Sequence, residues 1–423
     1  MGTPSSSPQR GNAVRFAQPQ RLSLQEDCTG KVKAECCNAA GSDSRVIALR
    51  LAALLLLLFL APTLWGLVCS IGGNGPIRFS LTAHLKTAGD GEAIFLSPGE
   101  TYISTSPAKR AKAAIVVLAR NTDADDAVLS MQRMEQRFNH KHNYPYVFLN
   151  NDKFDSEFQT KTSRATAART MYGIIPAEHW SLPPWISEQE AADALVDMSK
   201  RHVLYGGRES YHHMCRYYSG FFYKHPLLAE FDYYWRMEPD VKYYCDLDYD
   251  PFVFMQERHI KYGFVITVFD LNSTIPTLWS TTRSFMQQRP ELMAQDNLLD
   301  FVTDEGSDDY NLCHFWSNFE IGDLNFFRSQ AYSDYFDHLD QQGGFFFERW
   351  GDAPVHSLAA AMFLNHTEVH FFRDIGYRHN SFMHCPARQR NNCDCDAQNS
   401  VHFHTPAFGA CHKRWAELQR RRR

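Results

Sequence analysis

Two carboxylates separated by one proline are the residues best suited to do chemistry. In the segment "YYWRMEPDVKYYCDLDYD", Glu238 and Asp240 flank Pro239. The proline fixes the backbone and stops strand pairing, so both carboxylates stand on a rigid turn. Carboxylate oxygens suit a hard divalent cation such as Mn²⁺ or Mg²⁺, and such an ion can bridge a diphosphate and neutralise a leaving group. A solvated surface turn or a helix cap is the alternative, and the spacing alone leaves these interpretations open.

The acids that follow form a competing pattern. Asp246 and Asp248 have the spacing of a DxD metal motif, while Asp250 precedes the predicted helix "PFVFMQE". An acid in that position can instead stabilise the amino terminus of the helix. The segment therefore has two interpretations, a second metal site or a helix cap.

The elements that must position these acids are those of an α/β fold. Residues 112–121 and 144–152 are typical of buried strands, and the intervening stretch places apolar side chains on one helix face. Such a strand–helix–strand unit predicts a largely parallel sheet flanked by helices, with ligands bound at the carboxyl ends of the strands. Residues 231–237 would deliver Glu238 to that edge. Neither GxGxxG nor GxxxxGKS occurs, so a bound phosphate would need a metal ion and side chains.

Composition narrows the function classes. The 423 residues are 44% hydrophobic and 22% charged, which is typical of an ordered globular protein. A net charge of −5 argues against nucleic acid as a partner. The aromatic share of 14% suits a large core or a sugar-stacking cleft.

An uncharged segment near the amino terminus predicts a membrane anchor. Residues 51–71, "LAALLLLLFLAPTLWGLVCSI", would span about 30 Å as a helix. This run is longer than the apolar core of a signal peptide, and an excess of Lys and Arg before it places the amino terminus in the cytoplasm. We therefore expect a disordered cytoplasmic tail over 1–50, a transmembrane helix over 51–71, a stem over 72–110 and one lumenal domain over 111–423.

Glycosylation signals and cysteines agree with a lumenal carboxy-terminal domain. Two N-x-Thr glycosylation sequons occur, "NST" beginning at Asn272 and "NHT" beginning at Asn365. Four of the 11 cysteines precede residue 110, and the remaining seven fit disulfides in an oxidising compartment. Because seven is odd, at least one should be free or paired between chains. Cys313 can pair with one of the late cysteines, although the sequence does not fix the connectivity.

Four long motifs carry a resemblance to a known family. The segments "YYWRMEPDVKYYCDLDYDPF", "YNLCHFWSNFEI", "GGFFFERWGDAPVHS" and "HFFRDIGYRH" closely resemble those of the fungal Golgi α-1,2-mannosyltransferases of glycosyltransferase family 15. The likeness covers about residues 110–415. It implies a GT-A-type α/β fold, a type II Golgi membrane protein, GDP-mannose as donor, Mn²⁺ as cofactor and retention of the anomeric configuration. The implied acceptors are mannose-terminated glycans of glycoproteins.

The resemblance also assigns roles to single residues. It implies that Glu238 and His379 hold the manganese, with Asp240 ranked behind them. Glu320 matches the candidate nucleophile, which would attack the sugar or stabilise an oxocarbenium-like centre electrostatically. A buried structural acid is the alternative for Glu320. Asp352 resembles the residue that meets the acceptor, as a hydroxyl-binding group or a base.

Donor binding is implied for three further residues. Tyr211 matches a tyrosine whose hydroxyl reaches the donor phosphates and acts in catalysis. Arg120 and Arg236 are candidate donor-binding cations, because the guanidinium fork matches phosphate geometry; Arg120 can equally form a salt bridge at a strand end. Trp316, Trp350 and Phe346 are candidate surfaces for stacking on sugar, with a place in the hydrophobic core as the alternative.

Other functions remain open at this point. A mannosylphosphate transferase of the same fold would use the same site. A lumenal glycoside hydrolase could use Glu320 and Asp352 as its acid and nucleophile but would not need a metal site. A mannan-binding lectin would hold sugar without turnover.

Overall fold

The structure, a computed structural model, describes residues 110–422 except 305, 388–390 and 405. The predicted tail, the transmembrane helix over 51–71 and nearly all of the stem lie outside the described residues. Within the described part of the chain, no helix is both long enough and apolar enough to cross a membrane.

The described residues alternate between strands and helices. The strands are β1 Ala113–Leu118, β2 Tyr146–Asn150, β3 Thr170–Ile174, β4 Tyr233–Arg236, β5 Lys242–Tyr243, β6 Tyr262–Phe264, β7 Thr267–Phe269, β8 Cys313–Phe315, β9 Ile321–Asp323, β10 Val369–Phe371, β11 Tyr377–His379 and β12 Phe382–His384. The α-helices are α1 Ala124–Met134, α2 His140–His142, α3 Ser156–Arg164, α4 Glu188–Lys200, α5 Glu209–Gly220, α6 Pro251–Glu257, α7 Leu278–Gln288, α8 Leu299–Val302, α9 Leu324–Phe327, α10 Gln330–Gln342, α11 Gly344–Phe347, α12 Asp352–Phe363, α13 Val401–His404 and α14 Pro406–Arg421.

A mixed, mostly parallel sheet organises these elements. Its strand order is β10-β6-β9-β4-β1-β2-β3. Neighbouring strands run parallel except where β9 pairs antiparallel with β4 and β6. The predicted unit of strand, helix and strand is confirmed, since β1 pairs in parallel with β2 after α1. The predicted α/β class with a largely parallel sheet is therefore confirmed.

The central strands are buried on both faces. Along β1, Ala114 and Val116 belong to one hydrophobic cluster, while Ile115 and Val117 belong to the cluster on the opposite face. This alternation explains the continuous apolar run that predicts a strand covered by helices on both sides. The polar groups that do chemistry must therefore gather where the strands end.

A small second sheet brings the late part of the chain to the end of β4. It has the order β12-β11-β5. Disulfides join Cys245 to Cys393 and Cys385 to Cys395 beside it.

The other cysteines match both expectations from the sequence. Cys313 in β8 pairs with Cys411 in α14, so its predicted pairing with a late cysteine is confirmed. Cys215 is buried and free, which accounts for the odd number of cysteines in this part of the chain.

Candidate active site at the end of β4

The two carboxylates of the proline turn have different surroundings. The backbone N–H of Met237 donates to the carbonyl of Val116 at 2.9 Å, and the chain then leaves the sheet. Glu238 is turned toward the protein and accepts a hydrogen bond from Nε of Arg236 at 2.6 Å. Asp240 has φ of 57°, in the left-handed region that Asp tolerates better than most residues. Its side chain is 62% exposed and lies 3.8 Å from Arg133. Within this turn, Glu238 is therefore the carboxylate better placed to bind a metal ion inside the site.

The competing acids bind other parts of the protein. Oδ1 of Asp250 accepts from the backbone N–H of Phe252 at the start of α6, and its Oδ2 accepts from the hydroxyl of Tyr144 at 2.7 Å. Asp246 pairs with Arg137 at 2.9 Å. The helix-cap interpretation is thus confirmed for Asp250, and these contacts give both acids a structural role.

The small sheet places His379 next to the proline turn. Strand β11 runs antiparallel to β5, with Arg378 opposite Lys242, so His379 follows in register opposite Val241. Its ring stacks on Trp316 with centroids 5.8 Å apart. Burial lowers the pKa of His379, and the neighbouring Glu238 carboxylate opposes that shift. The imidazole is therefore neutral near pH 7, which is the form that binds a metal.

Glu238 and His379 fit a divalent ion that is also bound by a ligand. Nδ1 of His379 is buried and has no hydrogen-bond partner. A carboxylate with a neutral imidazole suits Mn²⁺ better than Ca²⁺, which takes oxygen ligands. No set of three or more His, Cys, Asp or Glu among the described residues forms a metal site by itself. Two protein ligands leave coordination positions that diphosphate oxygens and water can fill.

Arg236 lies at the centre of the acidic groups. Its side chain is 3% exposed and its guanidinium pairs with Glu238 and with Asp352, while Nη1 lies 3.9 Å from Oε1 of Glu320. The Tyr218 ring covers the guanidinium at 3.6 Å. Because these partners occupy Nε and Nη1 of Arg236, the contacts favour a role in holding the acids over direct binding of donor phosphate. Direct donor binding by Arg236 stays a prediction.

Asp352 and Glu320 approach Arg236 from different elements. Asp352 is the first residue of α12, and its Oδ2 accepts from the hydroxyl of Ser317 at 2.7 Å. Burial alone would raise the pKa of Asp352, but Arg236 and His356 outweigh it and hold that pKa below its ordinary value. Asp352 is thus an ionised carboxylate near neutral pH.

Glu320 directly precedes β9 and has no exposed surface. Its backbone carbonyl accepts from the N–H of Arg236 at 2.9 Å, which fixes its place beside β4. The side chain is 0% exposed. Attack on a sugar would therefore require neighbouring side chains to move, whereas electrostatic stabilisation would not. Among the alternatives left open by the sequence, this burial favours the electrostatic role or the structural one.

Tyr211 is close enough to this centre for the charge of Asp352 to act on it, whereas Arg120 pairs with a different acid. Tyr211, in α5, stacks on Tyr205 with centroids 4.6 Å apart, and the guanidinium of Arg349 lies 5.7 Å from its ring centroid. Burial raises the pKa of Tyr211 well above its ordinary value, so its hydroxyl stays a donor. The side chain of Arg120 is 76% exposed and pairs with Asp123 at 3.0 Å, which matches the strand-end alternative. Donor binding by Arg120 and Tyr211 stays a prediction.

Two of the three expected sugar-stacking aromatics belong to the core. Trp350 is 1% exposed and Phe346 is 4% exposed, so the prediction that they form free surfaces for stacking on sugar is wrong for both. They are buried because α11 packs against α4 and α5. Trp316 is half-buried and stacks on the imidazole of His379.

The sequence prediction missed three residues that complete the site. His356 contacts Glu320 at 2.9 Å, Tyr262 donates to Glu320 at 2.9 Å, and Ser317 donates to Asp352. His356 could have been found, because it lies four residues after an acid on the otherwise apolar helix "DAPVHSLAAAMF". Tyr262 and Ser317 carry no comparable signal, because their partners are distant in sequence.

Comparisons with known proteins identify relatives of this chain. The family model described as glycolipid 2-alpha-mannosyltransferase matches residues 90–420. The chain is 52% identical over 300 residues to alpha-1,2 mannosyltransferase KTR1 of Saccharomyces cerevisiae, covering 70% of this chain and 76% of that one. It is 45% identical to O-glycoside alpha-1,2-mannosyltransferase omh1 of Schizosaccharomyces pombe, over 70% of this chain and 77% of the other.

A solved structure is similar over most of the described residues. The crystal structure of core-mannan synthase A (CmsA/Ktr4) from Aspergillus fumigatus, in its Mn/GDP form, superposes with a TM-score of 0.70 at 40% identity. The match covers 74% of this chain and 87% of that one. Since the family model spans well over half of the sequence, this chain belongs to the glycolipid 2-alpha-mannosyltransferase family, glycosyltransferase family 15.

Proposed function

We propose that this protein is a retaining α-1,2-mannosyltransferase that moves mannose from GDP-mannose to mannose-terminated glycans of glycoproteins, with Mn²⁺ as cofactor. The observation that carries the proposal is the convergence of Glu238, His379, Arg236, Glu320 and Asp352 at one end of the sheet in a chain of this family. The names of KTR1 and omh1 support the α-1,2 linkage, and omh1 supports an O-linked acceptor. The Mn/GDP form of core-mannan synthase A supports the donor, the metal and a GT-A-type fold.

Glu238 and His379 would hold the metal ion. When bound, Mn²⁺ would supply positive charge that neutralises the diphosphate as it leaves. Arg236 holds Glu238 in place through the 2.6 Å hydrogen bond to its Oε1. Asp240, at the solvent side of the same turn, would add negative charge near the ion.

The remaining groups act on the sugars. Tyr211 keeps its proton and can donate to an anionic phosphate oxygen. Glu320 would stabilise electrostatically the positive charge that develops on the sugar. Asp352, ionised and held by Arg236 and Ser317, can accept a hydrogen bond from an acceptor hydroxyl and orient it.

A transfer assay tests this function against its rivals. The purified full-length chain is incubated with GDP-mannose and α-methyl mannoside, with Mn²⁺ or with EDTA. We expect an α-1,2-linked disaccharide that disappears on chelation and returns with Mn²⁺. Mannose phosphate in the product would identify the related phosphotransferase. Release of free mannose that resists chelation would identify a hydrolase. Binding without product would identify a lectin.

We also propose that the chain is a single-pass type II protein of the Golgi membrane, anchored by residues 51–71, with a GT-A-type domain in the lumen. Its support is the uncharged segment in the sequence and the three disulfides among the described residues. Asn272 is exposed and free to carry a glycan, whereas Asn365 already binds Glu368 and Asp296. In intact vesicles the catalytic domain should resist added protease until detergent is present. Digestion without detergent would contradict this orientation.

A further inference from the structure

His356 and Glu320 form a buried pair whose geometry limits the protonation states that it can adopt. Nδ1 of His356 lies 2.9 Å from Oε2 of Glu320, and Nε2 lies 3.0 Å from the backbone carbonyl of Tyr218. A carbonyl and an ionised carboxylate are both acceptors only. An ionised Glu320 therefore requires both ring nitrogens of His356 to carry protons, so that the two side chains are an imidazolium and a carboxylate.

The pair occupies only one of the two oxygens of Glu320. Tyr262 donates to the same Oε2 at 2.9 Å, so that oxygen receives two hydrogen bonds. Oε1 is buried and has no hydrogen-bond partner, and it lies 3.9 Å from Nη1 of Arg236. That nitrogen also contacts Asp352. Oε1 is thus the oxygen that faces Arg236 and Asp352, while the hydrogen bonds of His356 and Tyr262 to Oε2 fix the orientation of the carboxylate.

Helix α12 explains how the imidazole reaches this position. Asp352 and His356 are four residues apart and so lie on one face of the helix. The rest of the helix is rich in Ala and almost wholly buried. A charged side chain is costly in such a helix unless it is paired, which gives the pair with Glu320 a physical reason to persist.

We propose that His356 is a positioning residue for Glu320: as an imidazolium it keeps the carboxylate ionised and, with Tyr262, presents Oε1 to the developing positive charge on the donor sugar. The inference rests on the proposed mannosyl transfer. It applies whether Oε1 attacks the sugar or stabilises it electrostatically, and it goes against a purely structural role for Glu320.

The charges around the ring agree with an imidazolium. Burial alone would lower the pKa of His356, but Glu320 and Asp352 outweigh burial and raise that pKa above its ordinary value. The other groups that face the pair are the phenols of Tyr218, Tyr234, Tyr262 and Tyr332 and the guanidinium of Arg236. The phenols stay neutral, because burial raises the pKa of each well above 10.

The test compares two variants that release Oε2 with one matched control. His356→Gln removes the cation while keeping an amide donor, and Tyr262→Phe removes one donor without changing the charge. Tyr335→Phe is the control, because its hydroxyl is also fully buried but pairs with Thr282. All are made in the full-length chain, and kcat, KM for GDP-mannose and melting temperature are measured between pH 5.5 and 8.5.

We expect His356→Gln to lower kcat at least tenfold while KM changes by less than about twofold, because His356 contacts no donor group. Because the charges of Glu320 and Asp352 raise the pKa of His356, kcat of the wild type should fall on the alkaline side as the imidazolium loses its proton, and His356→Gln should lack that alkaline limb. Tyr262→Phe should lower kcat about threefold or more, and Tyr335→Phe should match the wild type.

Three results overturn the inference. The first is a folded His356→Gln protein with normal kcat, and the second is one whose loss is equal at every pH, as loss of folded protein alone would give. If His356→Gln does not fold, the comparison between Tyr262→Phe and Tyr335→Phe decides, and equal kcat values are the third. Absence of transfer by the wild type would instead overturn the proposed function, and the inference with it.

Discussion

The guanidinium of Arg236 and the carboxylate of Glu238 form a 2.6 Å ion pair between residues two apart in the chain, with the arginine 3% exposed. The same guanidinium pairs with Asp352 from the start of α12. One buried cation therefore joins the candidate metal ligand to the candidate acceptor-binding acid. Loss of that cation should disturb both the stability of the domain and its activity.

Removal of the Arg236 charge should destabilise the protein strongly. In Arg236→Met, Glu238 and Asp352 lose a buried counter-charge, and breaking such a pair from one side costs about 3–5 kcal/mol of unfolding free energy. Arg169→Met is the matched control, because its pair with Glu230 is exposed and should contribute less than about 1 kcal/mol. Urea unfolding in the presence of EDTA measures both. Equal losses in the two variants would mean that Arg236 does not hold the acids together.

The two carboxylates of the proline turn should differ in importance. Glu238→Gln keeps the shape of the side chain but removes the charge that would bind Mn²⁺, so kcat should fall about a hundredfold or more with little change in melting temperature. Asp240→Asn should lose less than about tenfold, because Asp240 is 62% exposed and Asn tolerates its positive φ. Rates measured over a range of Mn²⁺ concentrations check both. A larger loss of kcat in Asp240→Asn than in Glu238→Gln would instead assign the metal-binding role to Asp240.

A cluster of buried and half-buried histidines should make the domain sensitive to acid. Burial lowers the pKa of His384 to about 4, of His402 to about 2 and of His412 to about 4. Unfolded histidine has a pKa near 6.5, so below that pH the unfolded chain binds more protons and stability falls as pH falls. Each histidine whose pKa is lowered to about 4 should reduce the unfolding free energy by roughly 3 kcal/mol when the pH falls from neutral to 4.

The acid sensitivity can be assigned to the cluster with one pair of variants. His402→Phe cannot take up a proton, so its unfolding free energy should depend less steeply on pH between 6.5 and 4.5 than that of the wild type. His140→Phe, at an exposed position, should keep the slope of the wild type. Identical slopes in all three proteins would show that the buried imidazoles do not cause the acid sensitivity.

The sequence predicted those parts of the fold and the site that depend on residues close together in the chain. The apolar run of β1, the strand that ends at Arg236 and the rigid turn at Pro239 follow from short stretches of residues. The position of His379 depends on pairing between β11 and β5, more than a hundred residues apart, and entered only through the likeness to a family. No short pattern could reveal it.

Burial explains where the sequence prediction went wrong. An aromatic residue has the same composition signal in a core as in a sugar-binding cleft, so Trp350 and Phe346 could not be assigned before the helices around them were known. For Arg236 the sequence could not show that Glu320 and Asp352 surround its guanidinium, because both are distant in sequence, and its role in donor binding stays a prediction. Its identity was visible in the sequence, but its partners were not.

The central claim is that one manganese ion is held jointly by Glu238 and His379 when the nucleotide diphosphate is bound. Pulsed electron paramagnetic resonance of the full-length chain with Mn²⁺ and GDP tests it most directly. We expect modulation from one imidazole nitrogen in the wild type, its disappearance in His379→Ala, and weaker Mn²⁺ binding in Glu238→Gln. An unchanged nitrogen signal in His379→Ala, or its absence from the wild type, would contradict the account.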